Sequence, residues 1–252
     1  MASLAELVGF LDRELRISEI PDYPGAVNGL QLANASGEVG RVIAAVDATL
    51  PVIEDAAAGG PGLLIVHHGM FWQGAQPVTG PFFRKLKTAM DAGLAIYSAH
   101  LPLDVHPEWG NNVRLARAIG VIEPRPFFDW KGISLGLRGG WNGTREELAE
   151  CLAHAVGEPV HTAPGGAAEI REIGLITGGA GSQIAEVAAA GIDTFITGEG
   201  PHWSHTFALE NGLNLLLAGH YATETFGVRA LAEELARRNG LEWSFIDHPT
   251  GL

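Results

Sequence analysis

The sequence predicts an α/β protein made of two related halves, residues 1–126 and 127–252, packed as one compact unit. Short apolar runs alternate with amphipathic segments along both halves, the pattern of strands alternating with helices. Polar residues able to bind metals or move protons follow directly after several of those runs. Between the halves lies Phe127 to Gly143, rich in glycine and aromatic residues and without a clear period, which reads as a seam. Alternation of this kind favours a largely parallel sheet covered by helices.

Leu4, Leu7, Val8, Leu11 and Leu15 recur at helical spacing among Glu6, Asp12, Arg13 and Glu14, so the chain opens on an amphipathic helix. Asn28-Gly29 reads as a turn. Arg41 to Asp47 is a buried strand, Pro51 to Ala58 a helix, and Leu63 to Val66 a second strand ending at His67-His68. Pro81 to Ala92 continues as a helix and Leu94 to Ser98 as a strand, followed by a polar loop from His100 to Gly110. Asn111 and Asn112 open the next helix, where an asparagine side chain caps an otherwise unpaired N–H. In the second half Thr144 and Glu147 form a capping box ahead of a helix. Strands over Arg171 to Thr177, Asp193 to Thr197, Leu213 to Ala218 and Trp243 to Asp247 then alternate with helices over Ser182 to Ala190, His202 to Glu210 and Ala222 to Arg238.

With 252 residues, 46% hydrophobic and 18% charged, the chain is long enough and apolar enough to bury a sizeable core. A formal net charge of −13 argues against a nucleic-acid backbone or an anionic membrane as the main partner. Cys151, the single cysteine, excludes an internal disulfide and fits a reducing cytoplasm. It falls in a predicted amphipathic helix, where burial is expected over nucleophilic chemistry. The start is no signal peptide, and no apolar run is long enough to cross a bilayer.

His67, His68, Asp104, His220 and Glu224 are candidate metal ligands. Successive side chains on an extended strand point to opposite sides, so His67 and His68 are expected to serve two neighbouring ions, one each. His220 and Glu224, four apart at the start of a helix, share one face. A mixed imidazole and carboxylate shell of this kind activates water for hydrolysis. Asp47, His100 and Glu199 also follow strand ends, where sites form in open α/β sheets. Each has an ordinary reading beside the functional one: a polar turn after a strand for the histidine pair, a loop cap for Asp104, a first-turn acid for Glu224. Gly178-Gly179-Ala180-Gly181-Ser182, between a strand and a helix, is either a tight turn or a seat for a phosphate.

Several motifs follow one another in a recognisable order. They are Val27-Asn28-Gly29-Leu30-Gln31, Val66-His67-His68-Gly69 with Phe71-Trp72, His100-Leu101-Pro102-Leu103-Asp104, and His106-Pro107 with Gly110-Asn111-Asn112. Ile196-Thr197-Gly198-Glu199, Gly219-His220 with Ala222-Thr223-Glu224, and Phe245-Ile246-Asp247 complete the set. Through them the whole chain resembles the NIF-three-like, dinuclear-metal-centre hexameric proteins, also labelled GTP cyclohydrolase I type 2 homologues, in their short form without an inserted domain. The resemblance implies a three-layer α/β/α subunit of two intertwined halves, assembled as a toroidal homohexamer, a trimer of dimers. It implies two divalent ions per subunit, Zn, Fe, Mn, Co or Ni, with His67, Asp104 and Glu224 on one, His68, His220 and Glu224 on the other, and Glu224 bridging. His100 would handle protons beside the centre, and Glu199 with His205 would line the pocket, making His100 and Glu199 the candidate catalytic residues. Gly200 to Ser204 and Tyr221 stand where such proteins vary, which bears on selectivity.

Two functions follow from this pattern. One is a metal-dependent hydrolase acting on a nucleotide or related small molecule, GTP cyclohydrolase-like or phosphoesterase-like. The other is a metal-loaded ring serving as scaffold, regulator or metal carrier. Exchangeable coordination positions mark the first and a closed shell the second.

Overall fold

The structure, a computed structural model, describes residues 1–252. The chain forms two compact units, Met1–Leu103 with Gly227–His248 and Asp104–Phe226 with Pro249–Leu252. A boundary between residues 126 and 127 therefore falls inside a strand, Ile122–Trp130, of the second unit.

The first unit carries a five-stranded sheet in the order Glu242–Phe245, Arg41–Asp47, Gly62–His68, Leu94–Ser98, Gly29–Leu32. All pairs are parallel except the edge pair of Gly29–Leu32 with Leu94–Ser98. Val42 to Val46 and Leu63 to Val66 are buried at every position, so both faces of these central strands are covered, which explains their unbroken apolar runs. Each Leu or Ile removed from water there stabilises the fold by about 1.5–3 kcal/mol. Helix Leu50–Ala58 starts where Thr49 caps it and Pro51 occupies its first turn. It buries Val52, Ile53 and Ala56 in a cluster with Ile43, Leu64, Val66 and Ile96. Helix Leu4–Glu14 is capped by Ser3 and buries Leu4, Leu7 and Leu11, as its spacing predicts. Two expectations change here. Asn28-Gly29 opens a strand instead of ending in a turn, and Gly62–His68 runs on through both histidines.

The second unit has a six-stranded sheet in the order Ile122–Trp130, Ile133–Thr144, Glu169–Leu175, Thr194–Thr197, Asn214–Leu217, His161–Pro164. Only the two pairs that Thr194–Thr197 makes with its neighbours are parallel; the other three are antiparallel, so the largely parallel expectation holds for the first sheet and not for this one. The reason lies in the stretch without a period. Phe127 to Gly143 is most of a long hairpin whose two-residue turn, Lys131-Gly132, has positive φ at both positions, +50° and +84°. That is the turn geometry matching the twist of paired strands. The capping box at Thr144 and Glu147 forms as expected and starts helix Arg145–Val156, where Cys151 is half-buried. No helix is long and apolar enough to cross a membrane.

Candidate metal centre

In the first unit, three histidines gather at the carboxyl ends of two parallel strands. The ring centres of His67 and His68 are 4.8 Å apart, those of His67 and His100 4.9 Å, and those of His68 and His100 5.6 Å. One nitrogen from each lies within 4.8 Å of the other two. Adjacent positions on the strand therefore do not keep the two rings far apart. Strand alternation sets the Cβ directions, but each imidazole is turned by a hydrogen bond at its own Nδ1.

Those bonds also set the tautomers. Nδ1 of the fully buried His67 lies 2.9 Å from the Ala99 carbonyl, an acceptor only, so Nδ1 carries the proton and Nε2 keeps the lone pair. Nδ1 of His68 donates to Asp47 at 2.9 Å, and Nδ1 of His100 to Asp22 at 2.8 Å. Histidine ligands typically have their second nitrogen fixed in this way. Asp22 is itself locked, accepting from Asn28 Nδ2 at 2.7 Å and from the backbone N–H groups of Tyr23 and Leu101. Burial pushes the Asp22 carboxyl up, but the hydrogen bond and charge of His100, with Asn28 and Tyr23, outweigh it and hold it below the usual carboxylate range. The Trp72 ring stands edge-on to His100, at 4.8 Å, and to His68, at 5.7 Å.

In the second unit, His220 and Glu224 meet as their four-residue spacing predicts, with Nε2 3.3 Å from Oε2. The helix expected to begin at Ala222 is instead two pieces, His220–Thr223 and Thr225–Asn239, with Glu224 at the break. Glu224 is 3% exposed. His220 Nδ1 lies 2.9 Å from Glu199 Oε1. Burial lowers the His220 pKa, yet the hydrogen bonds and charges of Glu224 and then Glu199 push it up to about 9. Two carboxylates on one imidazole make this locality favourable to positive charge.

The glycine-rich turn is shaped by the same carboxylate. A Cβ on Gly178, whose φ is +71°, would lie 2.2 Å from Glu224 Oε1. The Gly178 N–H donates to Thr223 Oγ1, and its carbonyl accepts from Gly198 N, Glu199 N and Thr197 Oγ1. Ala180 N donates to Thr197 Oγ1 and Gly181 N to the Glu199 carbonyl. With these N–H groups committed internally, the phosphate-seat reading gives way to the tight turn.

Asp104, 7% exposed, ends the short helix Leu101–Asp104 that replaces part of the expected loop. Its Oδ1 accepts from Asn111 Nδ2 at 2.8 Å. Asn112 donates to the Asp104 and Leu135 carbonyls and accepts from Thr177 N. The asparagine pair therefore holds the Asp104 segment; the helix cap is Gly110, with no side-chain bond. His205, expected beside Glu199, pairs with His161, their ring nitrogens 2.9 Å apart.

Asp22 and the Asn111-Asn112 pair were missed as site-supporting residues. Asp22 lies 78 residues from His100 in a proline-flanked loop, and no local pattern marks such a partner. The donor set fits divalent transition ions. It supplies imidazole nitrogens held by hydrogen bonds at Nδ1 and buried carboxylates, with no thiolate.

An α/β fold bearing imidazoles clustered at strand ends defines a class of protein that could hold a metal ion. The chain belongs to the Duf34/NIF3 (NGG1p interacting factor 3) family, which it matches over residues 2–250. It is 41% identical over 251 residues to a Deinococcus radiodurans protein named "GTP cyclohydrolase 1 type 2 homolog", covering 98% of this chain and 94% of that one. A Pyrococcus abyssi protein of the same name is 40% identical, with 98% of each chain covered. Among solved structures, TTHA1606 from Thermus thermophilus superposes with a TM-score of 0.89 at 39% identity, covering all of both chains.

Proposed function

We propose that this protein is a dinuclear metal-dependent hydrolase acting on a nucleotide or related small molecule. In this reading His67, His68, Asp104, His220 and Glu224 hold two divalent ions, with His67, Asp104 and Glu224 on one, His68, His220 and Glu224 on the other, and Glu224 shared. The observation that carries it is the imidazole cluster of His67, His68 and His100, each ring tied through Nδ1 to an oxygen. Two such ions supply Lewis acidity and activate water for attack.

The chain's own residues do the rest. Asp47 and Ala99 hold the His68 and His67 rings, and Glu199 holds His220. In this reading His100, hydrogen-bonded to Asp22, takes or returns a proton, and Glu199 is the second candidate for that work. The relatives named GTP cyclohydrolase 1 type 2 homolog support a nucleotide as the substrate class. The protein works, in this reading, in a reducing cytoplasm as a homohexamer built from three dimers.

Elemental analysis of protein purified without chelator, paired with a hydrolysis screen over GTP, other nucleotides and phosphoesters, tests it. About two ions per chain and metal-dependent turnover are expected, and Glu224→Ala should lose both ions and turnover. A variant keeping two ions and full activity would overturn the ligand assignment. Two ions with no turnover on any substrate would favour a scaffold or carrier.

A further inference from the structure

The second unit holds a pair of histidines that the dinuclear site does not use. His161 opens the edge strand His161–Pro164, and His205 lies on helix His202–Glu210. Nε2 of His161 is 2.9 Å from Nδ1 of His205, and the ring centres are 5.1 Å apart. His161 is exposed and His205 half-buried, so an ion and its waters can reach both.

We propose that His161 and His205 form a separate two-imidazole site for a borderline divalent ion such as Zn(II), Ni(II) or Cu(II). The argument is geometric. With metal–nitrogen bonds of about 2.0–2.1 Å, two imidazoles on one tetrahedral ion place their nitrogens about 3.3 Å apart and their ring centres about 5.2 Å apart. The ring centres already stand at that separation, so an ion enters by ring rotation that opens the nitrogen pair by a few tenths of an ångström. Two elements 44 residues apart supply the ligands, which is how chelating sites gain rigidity from a fold. Imidazole donors select transition ions over Mg(II) and Ca(II), which take oxygen ligands. Water fills the remaining positions, so the site is open and exchangeable. Register places it at the carboxyl edge of the second sheet, because His161 stands opposite Leu217, the last residue of the strand that leads to His220.

The test is calorimetric titration of Zn(II) into the metal-loaded protein, with Mg(II) as the contrasting ion. One further Zn(II) event per chain is expected and none with Mg(II). His161→Gln and His205→Gln should each weaken that event at least tenfold, while the ions already bound and the thermal melting curve stay unchanged. Because His161 is exposed, its variant keeps the test valid should the His205 variant fold poorly. Absence of a further Zn(II) event, or an event of undiminished affinity in the His161 variant, would overturn the proposal. Neither outcome depends on hydrolysis, so failure here is separable from failure of the dinuclear reading.

Discussion

At the scale of single residues, the site rests on side chains that hold other side chains. Glu199 is the clearest case. Its carboxylate fixes Nδ1 of His220 while remaining partly open to solvent, with 46% of the side chain exposed. Partners of this kind typically change metal affinity 10–100-fold when removed. Glu199→Gln should therefore weaken metal binding within that range without abolishing it, as read by competition with a chelator; complete loss of metal would make Glu199 a direct ligand. Gly178 makes a second prediction. Alanine there would meet Glu224 Oε1 and adopt a left-handed backbone that costs about 1–2 kcal/mol in an L-residue. Gly178→Ala should lower the melting temperature and displace Glu224, with metal content falling alongside; a variant with unchanged melting and metal content would refute the close approach.

Among the elements, the second sheet is clasped by an ion pair between neighbouring strands. Arg138 on Ile133–Thr144 reaches Glu172 on Glu169–Leu175 through two hydrogen bonds, 2.8 and 2.6 Å. The hydrogen bond and charge of Arg138, with Arg125 adding to them against burial, hold the Glu172 carboxyl below its usual value of 4.5. The sign follows from linkage. A carboxylate with a depressed folded pKa contributes stability that is present above its unfolded pKa and lost as pH falls through the folded one. Glu172→Gln should thus melt lower than the parent at neutral pH, by about 2–4 °C if the clasp contributes about 1 kcal/mol. That gap should close below the usual carboxylate range, and a gap unchanged between neutral and acid pH would show that the clasp contributes nothing through charge. The hairpin itself was not legible in the sequence: its strands mix glycine with aromatics, so neither the alternation of a strand nor the period of a helix stands out, and the stretch reads only as a seam.

For the molecule as a whole, we propose assembly into a homohexamer. Light scattering coupled to size exclusion should give six times the 26.6 kDa chain mass, and a monomer at working concentration would refute the ring. The two compact units draw on separated stretches of chain, with residues 227–248 returning to the first unit and 249–252 to the second. A seam marked by composition at Phe127 is a local property, whereas membership of a compact unit depends on which distant segments pack together, as Glu242–Phe245 does beside Arg41–Asp47.

Much was legible from local pattern. The buried strands Arg41–Asp47 and Leu94–Ser98, the capping box at Thr144 and Glu147, and the pairing of His220 with Glu224 follow from periodicity and fixed spacing, which the backbone imposes within a few residues. The orientation of the imidazoles was not legible. That His67 and His68 come together with His100, and that Asp22, Asp47 and Ala99 fix their tautomers, depends on hydrogen bonds made across 21 to 78 residues of chain. Alternation sets where a side chain leaves the backbone, but a ring turns about its own bonds toward whichever acceptor folding brings near, and only the packed structure supplies that acceptor.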